Sequence, residues 1–136
     1  VATYSRNSDR GAGNQITFMA SDGTGANFIA ISDGANGSSD RVLINVNGVS
    51  QMNTGSVSYT ANQLLIRAIG YKVNDGATAV NGGTLATDIS VLIPVVNQLT
   101  IGYAPYFSTS RVNGTIRKLS YYPRRLSNTE LQGLTS

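Results

Sequence analysis

Short apolar runs separated by clusters of Gly, Asn, Ser and Asp make up most of this chain, and several of the runs alternate with the period of a strand. In "RVLINV", Val42, Ile44 and Val46 share one face. "QLLIRAIGY" puts Leu65, Arg67 and Ile69 on one face and Leu64, Ile66 and Ala68 on the other. "NFIAIS" is denser, with Ala30 between Ile29 and Ile31 and Phe28 before them. The pattern predicts strands over residues 15–20, 27–32, 41–46, 64–71, 77–80, 99–103 and 115–122.

The punctuation between the runs is that of hairpins. Asn-Gly occurs at Asn36-Gly37, Asn47-Gly48, Asn81-Gly82 and Asn113-Gly114, and Asp-Gly at Asp22-Gly23, Asp33-Gly34 and Asp75-Gly76. Both dipeptides tolerate the positive φ of tight turns. Asn47-Gly48, between "LINV" and "VSQM", is the clearest hairpin.

One helix is signalled, near the end of the chain. Ser127 stands three residues before Glu130, the spacing of a capping box, and Leu126 and Leu131 occupy the positions of a hydrophobic staple. Leu134 continues the apolar face, and Pro123 separates this helix from the strand before it. Segment 113–134 therefore reads as strand, Pro turn and short capped helix, with Glu130 a cap rather than an acid catalyst. Tyr121 and Tyr122 fall on opposite faces of the expected strand, which places at least one in the core. Arg124 and Arg125 fall on the surface of the turn. The chain reads as one all-β domain over residues 1–136: two antiparallel sheets packed as a sandwich, with a short C-terminal helix. It opens at Val1 without an initiator Met, which suits a processed product or a piece of a longer chain.

The closing stretch "VNGTIRKLSYYPRRLSNTELQGL" resembles the C-terminal signature of concanavalin A-like, laminin-G-like jelly-roll domains. There an "NG-x-I" hairpin feeds the last strand and "R-x-L-S-x-x-E-L" forms the closing helix. "FIAISDG", "YKVNDGATAVNGG" and "LTIGY" stand upstream in the order such a domain requires, so the resemblance spans residues 18–134. It is nearest to the version common in phage and prophage proteins, at the ends of tail-fibre and other virion proteins. It implies a two-sheet antiparallel jelly roll, a place on the virion surface outside the cell, and, by analogy with viral fibres, a homo-oligomer, a trimer. It does not fix function, because the fold hosts lectins, glycanases and purely structural modules.

Composition narrows the chemistry. The chain has no His, Cys or Trp, which removes the commonest general base, thiolate chemistry and disulfides. The resemblance brings glycoside hydrolysis into question, a reaction that needs two carboxyls about 5–10 Å apart. The glycanase pattern E-x-D-x-x-E is nowhere among the seven acidic residues, and three of the six Asp residues stand in Asp-Gly turns. The expectation is no enzyme. "GAG" at 11–13 and "GTGAN" at 23–27 lack the Lys-Ser/Thr of a phosphate loop. A net charge of +3 is too small for a dedicated nucleic-acid domain, and "VLIPVV" at 91–96 is too short to span a bilayer.

Two candidate sites remain. Tyr103, Tyr106, Phe107 and Arg111 in "GYAPYFSTSR" combine aromatic faces with a cation, which suits a glycan; the alternative places Tyr103 at a strand end and Phe107 in the core. No cofactor is required, but laminin-G-like relatives often hold Ca²⁺ on loops, and Asp33, Asn36 and Asp40 supply oxygens at a usable spacing; the alternative is a polar hairpin loop. Asn74-Asp75 is a second such position. Half of the ten basic residues, Arg111, Arg117, Lys118, Arg124 and Arg125, gather near the end of the chain. They suit an acidic polysaccharide, or else form a solvated or subunit-contacting face in which one of Arg117 and Lys118, on opposite strand faces, pairs or snorkels. Two functions follow: recognition of a host surface polysaccharide by a tail-fibre or decoration-type module, or a structural module that stabilises an assembly of virion subunits and binds no sugar.

Overall fold

The computed structural model describes residues 1–7, 14–34 and 39–136, with the side chains of residues 107–109 excepted. Its strands are β1 (Ala2–Arg6), β2 (Ile16–Ser21), β3 (Phe28–Asp33), β4 (Ser39–Val46), β5 (Val49–Ser58), β6 (Leu64–Lys72), β7 (Asp75–Val80), β8 (Ala86–Asp88), β9 (Gln98–Ile101), β10 (Tyr103–Ala104), β11 (Phe107–Arg111) and β12 (Gly114–Leu119). A single short helix, α1 (Asn128–Gly133), follows. The fold is all-β. Two five-stranded sheets, in the orders β12-β1-β6-β7-β8 and β5-β4-β3-β2-β9, are antiparallel throughout.

Strand alternation assigns the faces. Ala2, Tyr4, Leu65, Arg67 and Ile69 of the first sheet face Phe18, Ile29, Ile31, Val42 and Ile44 of the second. At one side the sheets close, with β5 packed over β7 and β8. The outer faces are also covered. Ala68, Ala77 and Ala79 form a shallow surface on which Leu126 and Leu131 seat α1. The β10–β11 hairpin lies across Ile16, Met19, Phe28 and Ala30 through Ala104 and Tyr106. This explains why "NFIAIS" is nearly continuous in apolar residues: all of β3 is buried, one face against the opposite sheet and the other under the hairpin.

The turns follow their chemistry with three exceptions, the first at Asp33-Gly34, where Asp33 is the last paired residue of β3 and Gly34 has no positive φ. Asn47-Gly48 and Asn81-Gly82 have positive φ at both positions (52° and 79°; 47° and 67°); the first is a two-residue hairpin between paired Val46 and Val49, the second a tight turn inside the longer β7–β8 connection. The β6–β7 turn falls one step before Asp75-Gly76, on Val73 and Asn74, because Lys72 pairs with Asp75. Gly114 opens β12 instead of turning; a Cβ there would stand 2.0 Å from the Ser5 carbonyl oxygen, so Gly is needed for close strand approach. Asn36-Gly37 lies outside the described residues. Among the described residues no helix is long and apolar enough to cross a membrane.

Candidate functional site: an inter-sheet cleft and its closing segment

On the side away from β5 the two sheets do not close fully. A cleft of about 600 Å³ runs between β2 and β9 on one side and β6 and the end of β12 on the other. Phe18, Ile29, Ile31, Ile69 and Leu119 line its apolar depth, while Asn97, Tyr121, Tyr122 and Arg124 stand toward the mouth. No Asp or Glu lines it. Burial, and then proximity to Tyr121, raises the pKa of the Tyr71 hydroxyl above the ordinary phenol value.

The mouth is built by the segment that follows β12. Pairing with β1 stops at Leu119, after which the Ser120 N–H donates to the Val1 carbonyl at 2.8 Å. The expected strand through residue 122 is thus cut short, and both tyrosines are released from strand alternation. Neither enters the core: Tyr121 is 80% exposed and Tyr122 39%. Pro123 turns the chain, and two arginines tie the turn down. Arg124 forks onto Glu130 at 2.6 and 3.3 Å, and Arg125, only 11% exposed, donates to Asp75 at 2.8 Å.

The capping box closes both ways: the Ser127 N–H donates to Glu130 Oε2 at 2.7 Å and the Glu130 N–H to Ser127 Oγ at 3.2 Å. Arg124 first, and then the Ser127 donors, lower the Glu130 pKa to about 2. The staple residues Leu126 and Leu131 are buried together. The closing segment is therefore latch and rim at once.

On β12, Arg117 and Lys118 are both exposed and do not divide between the two faces. The register shifts between Thr3 and Tyr4, pairing them with Lys118 and Ile116 and leaving Arg117 as the extra residue of a bulge, which breaks the alternation.

The β10–β11 hairpin separates the four residues expected to act together. Tyr103 and Arg111 are directly paired and both exposed, Tyr103 by 41%. Tyr106 is half-buried, its ring 3.4 Å from where a Cβ on Gly25 would stand, and it packs with the apolar outer face of β2 and β3. The Phe107 side chain lies outside the described residues. The hairpin thus presents one exposed Tyr–Arg pair.

The Asp33 and Asp40 carboxylates lie inside the sandwich. Asp40 accepts from Arg6 on one oxygen and from Arg67 and the Tyr4 hydroxyl (2.7 Å) on the other, with all four side chains buried. Arg67 also donates to Thr78 at 3.1 Å and to the Gly55 carbonyl at 2.8 Å, and Arg6 to Thr17 at 2.6 Å. Asp33 accepts from the Gln15 N–H and from Tyr59. Burial opposes the Arg6 charge, but Asp40 and its neighbours outweigh it and raise its pKa; burial raises the Asp33 and Tyr4 pKa values. In this network the Arg6, Tyr4 and Arg67 bonds tie β1 and β6 of one sheet to β2 and β4 of the other. Its sequence signal was the phase of Arg67 with Leu65 and Ile69, and of Asp40 with Val42 and Ile44. Asn36 lies outside the described residues, and among those described no three His, Cys, Asp or Glu side chains gather as a metal site. Asp75 is engaged by Arg125 and Lys72.

No family model and no curated protein matches the chain. Among solved structures it is similar to an S-layer domain-containing protein (residues 221–444) from Clostridium thermocellum ATCC 27405, with a TM-score of 0.51 and 19% sequence identity over 93% of this chain. The match spans 64% of that solved chain, and at this identity the likeness speaks for the fold alone.

Proposed function

We propose that this chain is a non-catalytic recognition module of the concanavalin A-like, laminin-G-like jelly-roll kind, displayed on a virion surface, which binds a host surface glycan at the mouth of the inter-sheet cleft. The observation that carries this reading is the grouping of two exposed tyrosines, the Asn97 amide and an arginine around one opening. Tyrosine faces stack on the CH faces of sugars, and Asn97 and Arg124 stand where a ligand's hydroxyls or acidic substituent would lie. The lining holds no carboxyl pair, so glycoside cleavage has no acid and base there. Relative to the sequence-based site, the recognition surface shifts from the β10–β11 hairpin to the closing segment.

A second reading, a structural module contacting other virion subunits, is favoured by the apolar side chains Ile89, Leu92, Val95 and Ile101, all exposed outside the cleft lining. Binding of the purified domain to a panel of bacterial surface polysaccharides separates the two. Recognition requires saturable binding that Tyr121→Ala weakens at least tenfold. Failure to bind across the panel, with the protein self-associating, favours the structural module.

A further inference from the structure

Resting on the glycan reading of the same cleft, we infer that the ligand is amphiphilic: a saccharide with an anionic head at the rim and an apolar chain in the depth. The polarity of the walls changes along the cleft. At the rim stand Tyr121, Tyr122, Asn97 and Ser120, with the exposed Leu99 and Pro123 among them; inside stand Phe18, Ile29, Ile31, Ile69 and Leu119.

A sugar ring pushed inward would set its hydroxyls against these hydrocarbon walls with few partners, at a cost no stacking offsets. Arg67 reaches the inner wall, but its guanidinium is turned to Asp40, Thr78 and the Gly55 carbonyl. What it offers the cleft is mostly stem. A cleft of about 600 Å³ lies in the range that encloses a small molecule, so the depth has room for an alkyl chain beyond a head group held at the rim. Arg124 and Arg125 line the cleft, and although they are ion-paired to Glu130 and Asp75, those carboxylates stand outside the lining, so a negative head meets guanidinium and no carboxylate there, and a positive head finds no counter-charge. The ligand class is therefore an acidic saccharide carrying an alkyl or acyl chain.

The test is titration of the ¹⁵N-labelled protein with a series of alkyl β-D-glucuronides from methyl to octyl, below micelle-forming concentrations, with octyltrimethylammonium as the cationic control. The inference requires affinity to rise about fourfold per added methylene until the cleft is full. Amide shifts at Phe18, Ile31, Ile69 and Leu119 should appear only with the longer chains. Ala20→Phe, which places a ring inside the cleft, should remove the chain-length gain while leaving the methyl glycoside unaffected; should that variant not fold, the series on the native protein still decides.

Equal affinity along the series, with shifts confined to residues 121–124, overturns the inference and leaves the glycan reading standing. Equal binding of the cationic control also overturns it, because the tail alone is then recognised. Failure of every glucuronide, in a protein that also binds no polysaccharide, removes the glycan reading itself.

Discussion

Asp40 holds two guanidiniums, from Arg6 of β1 and Arg67 of β6, inside the sandwich, and accepts from the Tyr4 hydroxyl of β1 as well. Removing this one carboxylate leaves two buried cations without their counter-charge, a class of change that costs about 3–5 kcal/mol. Asp40→Ala is expected to lower the unfolding free energy by that amount in urea titration, and a loss below about 1 kcal/mol would show that the network is dispensable. Glu130 works in the opposite setting, on the surface. Its folded-state pKa of about 2 lies below the ordinary 4.5, so the stability it lends is complete above pH 4.5 and is lost as pH falls toward 2. Glu130→Gln keeps the capping geometry but not the charge. The stability difference between native protein and variant should therefore narrow over that window, as read by urea unfolding at stepped pH. Single residues were legible where they obeyed local rules: the Ser127–Glu130 box, the Leu126–Leu131 staple and the Asn47-Gly48 turn. The charged pairs were not, because Arg6 and Asp40 are far apart in sequence and meet only once the sheets pack.

At the scale of elements, the shape of α1's seat decides how the closing segment lies. Gly70 faces the helix, and a Cβ there would stand 2.9 Å from Leu131 Cδ1 and from Arg125 Cδ. Gly70→Ala must displace the helix or the Arg125 latch and should cost about 1–3 kcal/mol, with faster proteolysis after residue 122 as a second readout. The same scale shows which strands the sequence conceals. β1 was missed because its inward row ends in Arg6 and reads as polar. β5 was recognised only at its hairpin start, because it is a sheet edge with Met52 its one buried residue and needs little apolar content. β8 and β11 are short, and β11 is set by its hairpin partner. Conversely, β12 was drawn too long through Tyr121 and Tyr122, since alternation continues in the sequence after pairing with β1 has ended.

For the whole molecule, the all-β class and the paired sheets were legible because hairpin chemistry and period-two runs are local signals. The cleft was not. It exists because the sheets close along β5 and stay apart near β9 and the end of β12, a property of topology that no single stretch encodes. The sequence did point to Tyr103, Tyr106, Phe107 and Arg111, a loop rich in aromatics, but packing spends Tyr106 on covering β2 and β3. The closing segment instead places its two tyrosines outward, near Asn97 and Arg124. The measurement that tests this most directly is an amide shift map of the labelled domain titrated with a fragment of a bacterial surface polysaccharide that it binds. The largest shifts are expected at residues 96–99 and 120–124, around the mouth of the cleft. Shifts centred on Tyr103 and Arg111 would contradict it and return the site to the hairpin.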